Sequence, residues 1–120
     1  MILNLTRYAA TQDQIDAGVV EPNQEVKQVI QQLLTFNTPP TKTEVTNAAF
    51  LLAGLASELG FKSAMIAGAP YLMGALEMSL KYNGVTPLYA FSRCKIVEQL
   101  KEDGSVEEIY VFQHKGFVEG

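Results

Sequence analysis

The chain is poor in the residues that most often carry chemistry. Its 120 residues include one cysteine, one histidine and no tryptophan. Cys94 alone can form no intrachain disulfide and no Cys-rich metal site, so a reducing, cytoplasmic setting is expected. One histidine and no clustered Asp/Glu spacing disfavour a catalytic zinc or a paired-metal site, and no cofactor is expected. The formal charge of −4 argues against a surface for duplex DNA. It does not exclude a small anion, because a local pocket can be positive on an acidic protein. No apolar run approaches the ~20 residues of a membrane span, so no membrane association is expected. The N-terminal MILNLTRY is apolar but short and lacks a basic leader, so it reads as a strand and not as a signal peptide. G-x-G-x-x-G, Walker A and G-x-S-x-G patterns are absent. No carboxylate pair stands where glycosidase chemistry would need one.

What is present fits one α/β domain over residues 1–120. Ile2 to Leu5 is a short apolar run, the expected first strand. Thr11 to Gln14 is a capping box for a short helix, and Val19-Val20 follows as a brief extended piece. Asn23 is a candidate N-cap for a helix whose stripe is Val26, Val29, Ile30, Leu33 and Leu34. Pro39 and Pro40 forbid its continuation. Thr41 to Glu44 is a second capping box, and Gly60 a natural helix stop.

The stretch Ser63 to Arg93 carries the most information. Ala64 to Ala67 reads as a strand, Pro70 suits the first turn of a helix, and Gly84 ends that helix. Val85 to Phe91 reads as a third strand, covered on both faces because its apolar run does not alternate. The unit is a βαβ crossover, so the sheet is expected to be parallel and Rossmann-like, in three layers. Lys95 to Leu100 and Val106 to Phe112 flank the turn signal Glu102-Asp103-Gly104-Ser105, an antiparallel C-terminal hairpin.

Ligands of open parallel sheets bind at the carboxyl ends of the strands. Strand one ends at Thr6-Arg7, strand two at Gly68-Ala69-Pro70 and strand three at Ser92-Arg93. With the next strand running back down and its partner returning upward, Gln113, His114 and Lys115 are expected at the same edge. Both arginines and the lone histidine would then meet there, with the acidic residues Glu98, Glu102, Asp103, Glu107 and Glu108 at the far end of the hairpin. Gly68 would admit a ligand to the backbone, and Tyr71 in the first helical turn would stack on a base or sugar. Arg7 and Arg93 over a helix N-terminus make a phosphate or carboxylate clamp.

Each of these residues also has a structural reading. Arg7 can pair with Asp13 or Asp16, and His114 can be a solvated edge residue. Cys94 reads as buried filler, Tyr8, Tyr89 and Tyr110 as packing residues, and Met65, Met73 and Met78 as core. The acidic hairpin is a soluble edge that discourages strand addition.

The order strand, helices, strand, helix opening Gly68-Ala69-Pro70-Tyr71, strand, hairpin resembles the small Rossmann-like proteins of CRISPR-linked systems. These are the CARF-type sensors and the stand-alone ring nucleases, and Thr6-Arg7 after the first strand is similar too. The resemblance implies a homodimer that binds a cyclic oligoadenylate, with cleavage in some members by attack of a ribose 2′-OH without metal. It implies Arg7, Arg93 and His114 as phosphate-binding or leaving-group residues and Ser92 as a ribose contact. In an in-line attack, Arg93 would stabilise charge and His114 would protonate the leaving oxygen. Thr6, Arg7, Gly68, Ala69, Pro70, Tyr71, Ser92 and Lys115 would bind the ligand. The alternative is a non-enzymatic interaction protein, such as a phage or mobile-element accessory factor.

Overall fold

A computed structural model describes residues 1–120. The elements run β1 (Ile2–Asn4), α1 (Gln12–Asp16), β2 (Val19–Val20), α2 (Gln24–Leu34), α3 (Lys42–Glu58), β3 (Ser63–Met65), α4 (Pro70–Tyr82), β4 (Thr86–Leu100) and β5 (Val106–Glu119). The sheet order is β2-β1-β3-β4-β5. The first four strands are parallel, and β5 is antiparallel to β4. The expected α/β class and C-terminal hairpin are therefore present.

Local chemistry sets the helix ends. Thr11 and Thr41 each close a capping box, and the Asn23 side chain accepts from the Val26 N–H. Those caps satisfy N–H groups that have no partner inside a helix. α4 is different: Pro70 opens it, and Ala69 provides no side-chain cap.

Helices α2, α3 and α4 share one core with Leu3, Leu5, Ala64, Ile66 and Val85 of the sheet. They therefore lie on one sheet face. Asn4 and Met65 pair directly and have the opposite parity, so they serve the other face. That face is incompletely covered along β4, where Ala90 is exposed. The expectation of a third strand covered on both faces is corrected here: an apolar run without alternation does not guarantee two covering layers. Met65 and Met73 are core residues as expected, but Met78 is 74% exposed on the outer side of α4. Tyr8 and Tyr110 are also exposed, and Cys94 is exposed rather than buried.

The largest correction concerns the hairpin. β4 does not end at Arg93. It continues unbroken to Leu100, and β5 pairs with it from Val106 back to Glu119. Beyond Leu88, which pairs with Met65 at the end of β3, the ribbon has no third strand. Residues 91–116 thus form a two-stranded arm projecting past the carboxyl edge. A compact chain of this length has a radius of gyration of about 14 Å. This one has 17.0 Å, with a long axis of 56 Å. The arm's tip is a tight turn in which Gly104 N–H donates to the Lys101 carbonyl, with Gly104 at φ 85°. Only glycine adopts that conformation without strain. No helix is long and apolar enough to cross a membrane.

Candidate functional site

The carboxyl edge of β1 is built around a buried amide. Asn4 is 2% exposed in an otherwise apolar strand. Its Oδ1 accepts from the Thr6 N–H (3.0 Å) and the Thr6 hydroxyl (2.7 Å). Its Nδ2 donates to the Tyr8 carbonyl (2.8 Å) and to Glu21 Oε1 (2.6 Å). Glu21 Oε1 also accepts from the Ala10 N–H at 2.6 Å, and Oε2 meets Lys27 Nζ at 2.9 Å. Burial pushes the Glu21 carboxyl up, but Lys27, Asn4 and Ala10 outweigh it and leave the pKa below its ordinary value. The network folds the segment after β1 back over the strand end and ties it to β2 and α2. Sequence reasoning missed Asn4 and Glu21. The signal was a lone polar residue inside an apolar run.

Two hollows lie at this edge. A small one of about 240 Å³ is lined by Thr6, Tyr8, Met65, Ala67, Tyr89 and Ala90 among others. Tyr89 hydroxyl donates to Glu77 Oε2 at 2.5 Å. Burial, and then the bond to Glu77 and its charge, push the Tyr89 pKa up to about 12. No cation lines this hollow.

A larger hollow, about 660 Å³, opens between the α2–α3 loop and the start of α4. Phe36, Asn37, Thr38 and the two prolines form one side, Lys42 and Val45 of α3 another, and Tyr71 the third. The Phe36 and Tyr71 rings stand 6.3 Å apart at 54°. Tyr71 is in the first turn of α4, whose leading N–H groups have no side-chain cap. A hollow of this size fits a small-molecule ligand.

The expected site residues are therefore divided. Thr6 lines the small hollow, and Arg7 is exposed beside it with no ion pair to Asp13 or Asp16. Tyr71 lines the large one. Gly68, Ala69 and Pro70 form the turn between β3 and α4 but line neither hollow. Arg93 and Lys115 line a third hollow, about 500 Å³, on the arm with Cys94, Lys95, Ile96 and Gln113. Arg93 stands five residues beyond Leu88, roughly 17 Å up the strand at about 3.3 Å per residue. Ser92 and His114 pair across the arm's base. The His114 ring packs edge-on against Phe117 at 5.0 Å, and both ring nitrogens are buried without a partner. The clamp expected from the sequence is thus not gathered in one hollow: Tyr71, Thr6, and Arg93 with Lys115 line three separate ones, and Arg7, Gly68, Ser92 and His114 line none of the three.

These features define an open, mostly parallel α/β sheet protein with two hollows at the carboxyl edge and a projecting β-arm. The chain belongs to the uncharacterized MJ1673 family, whose model matches residues 1–118. No curated protein and no solved structure matches it.

Proposed function

We propose that this protein binds a small, anionic, nucleotide-like ligand at the carboxyl edge of its parallel strands. The observation that carries this reading is the larger hollow. It brings together two aromatic rings, Phe36 and Tyr71 of the first turn of α4, and the Lys42 side chain. A ring offers a stacking platform, while an ammonium group attracts a phosphate. The proposal is of binding: neither Arg93 nor His114 lines this hollow.

The test is a thermal-shift screen with mononucleotides, cyclic oligonucleotides and inorganic phosphate. A nucleotide should raise Tm in a concentration-dependent way. Tyr71→Ala should remove the preference for nucleotide over phosphate, and Lys42→Ala should weaken both. The reading fails if no anion raises Tm, or if the shift survives both substitutions unchanged.

A second reading, protein interaction, is favoured by one observation: the arm displays large apolar side chains to water, among them Phe112 at 77% and Leu100 at 74% exposure.

A further inference from the structure

One face of the arm has a self-complementary order. Strand alternation and the β4–β5 register, with a bulge at Lys115 that takes up one extra residue of β5 between His114 and Phe117, place one side chain from each strand in successive layers along this face. Nearest the body are Ala90 with Phe117, then Ser92 with His114. Cys94 with Phe112 and Ile96 with Tyr110 form the middle. Glu98 with Glu108, and Leu100 with Val106, complete it toward the tip. The pattern is apolar, polar, apolar, apolar, polar, apolar. It reads the same in both directions.

Two features of the isolated chain are unresolved by the chain itself. Glu98 and Glu108 are directly opposed, and like charges in that position destabilise a strand pair. No hydrogen bond or ion pair involves either carboxylate. His114, at the mirror-related layer, has no partner for either ring nitrogen.

We infer that this face docks on the same face of a second copy, the two arms lying antiparallel about a two-fold axis between the Cys94 and Ile96 layers. That axis leaves β4 over β4 and β5 over β5. Phe112 then packs on the partner's Tyr110, and Cys94 on the partner's Ile96. Glu108 meets the partner's His114, once the imidazole turns out from beside Phe117. Glu98 meets the partner's Ser92, and Leu100 and Val106 cover the partner's Ala90 and Phe117. Every contact occurs twice, as a two-fold interface requires.

The scale fits. Phe112 and Tyr110 are 77% and 70% exposed. At about 150–250 Å² per aromatic side chain, these two alone contribute about 220–370 Å² to the face. Ile96 adds to it and, beyond the Glu98–Glu108 layer, so do Leu100 and Val106, each more than half exposed, so the face carries apolar area at the upper end of what a monomer ordinarily leaves in water. It also approaches the ~800 Å² per partner of a stable interface. A lone two-stranded ribbon is marginal in water, so the arm gains its second layer from the partner. The inference rests on the arm and is independent of the ligand reading.

The test is sedimentation velocity of the full chain across concentration. The wild type should be a dimer with a dissociation constant below about 100 μM. Tyr110→Asp with Phe112→Asp should weaken it by more than about tenfold, and Glu108→Lys and His114→Glu should each do so by about tenfold. Combining Glu108→Lys with His114→Glu restores opposite charges in trans and should recover most of the affinity. All four positions lie on the arm away from the shared core, and far-UV circular dichroism with a urea transition confirms that each variant's body is folded. A monomeric wild type at about 100 μM overturns the inference. So does a dimer indifferent to Tyr110 and Phe112, as edge-to-edge pairing would be, or a charge swap that recovers nothing.

Discussion

Removing the Glu21 carboxylate should unfasten the segment that folds over the end of β1. Glu21 accepts charge-assisted hydrogen bonds from Asn4 Nδ2 and the Ala10 N–H, both at 2.6 Å, and faces Lys27 at 2.9 Å. A hydrogen bond to a charged group contributes about 1.5–3 kcal/mol. Two such bonds give about 3–6 kcal/mol, and the side chain's 29% exposure lets water replace part of that. Glu21→Ala should therefore cost about 3 kcal/mol. A chain of 120 residues has an unfolding entropy of about 0.25 kcal/mol/K, so Tm should fall by about 12 °C. Glu21→Gln keeps an acceptor and loses only the charge, so it should cost about 1–2 kcal/mol. The sign of the pH dependence follows from the lowered pKa. The contribution is fully present above the ordinary value of 4.5 and is lost as pH falls below it through the folded-state value. Urea unfolding monitored by circular dichroism at pH 7 and at pH 3 measures both effects. The wild-type advantage over Glu21→Gln should shrink at the acid end. A Glu21→Ala cost under about 1 kcal/mol at pH 7, or a wild-type advantage over Glu21→Gln that does not change with pH, refutes the reasoning.

Three further outcomes follow from the geometry. In a spectrophotometric titration of the five tyrosines, one should ionise late, near pH 12, and Tyr89→Phe should remove that component while Glu77→Gln brings it to lower pH. Leu76→Ala, at a fully buried position of α4, should cost about 2–5 kcal/mol in urea unfolding, whereas Met78→Ala two residues on should be nearly silent. Gly60→Ala places a methyl group at φ 82°, and although there is room for it, the left-handed backbone should cost about 1–2 kcal/mol in the same assay.

The local signals in the sequence were reliable because they are satisfied locally. Thr11, Asn23 and Thr41 were legible as caps since their partners lie three residues away. Pro70 and Gly84 bracketed α4 for the same reason. The failures were all matters of distance along the chain. Arg93 looked like a strand end because Ser92 and Arg93 break the apolar run from Val85 to Phe91. Yet β4 runs through it, and no local feature distinguishes a strand that stops from one that leaves the sheet. That one error folded the hairpin back onto the site and gathered Arg7, Arg93 and His114 into a single clamp. Tyr71 stands in the first turn of α4, as its place after Pro70 implied, and lines a hollow there. Its companions Phe36 and Lys42 come from the α2–α3 loop and the first residue of α3, where the sequence showed only two prolines and a capping box.

The arm and the body make opposite demands on the same chain. The body buries Leu3, Leu52, Leu76 and Ile66 completely, so its stability is its own. The arm holds Phe112, Tyr110 and Leu100 in water, where each costs free energy that a second layer would return. Association would then stabilise the arm by mass action while leaving the body almost untouched. Amide exchange can separate the two. Arm amides from Cys94 to Ile96 and from Tyr110 to Phe112 should become protected as concentration rises through the dimer dissociation constant. Those of β1 and β3 should not change. Equal protection of the arm at all concentrations would mean that the ribbon is stable alone, and the apolar face would then need another explanation.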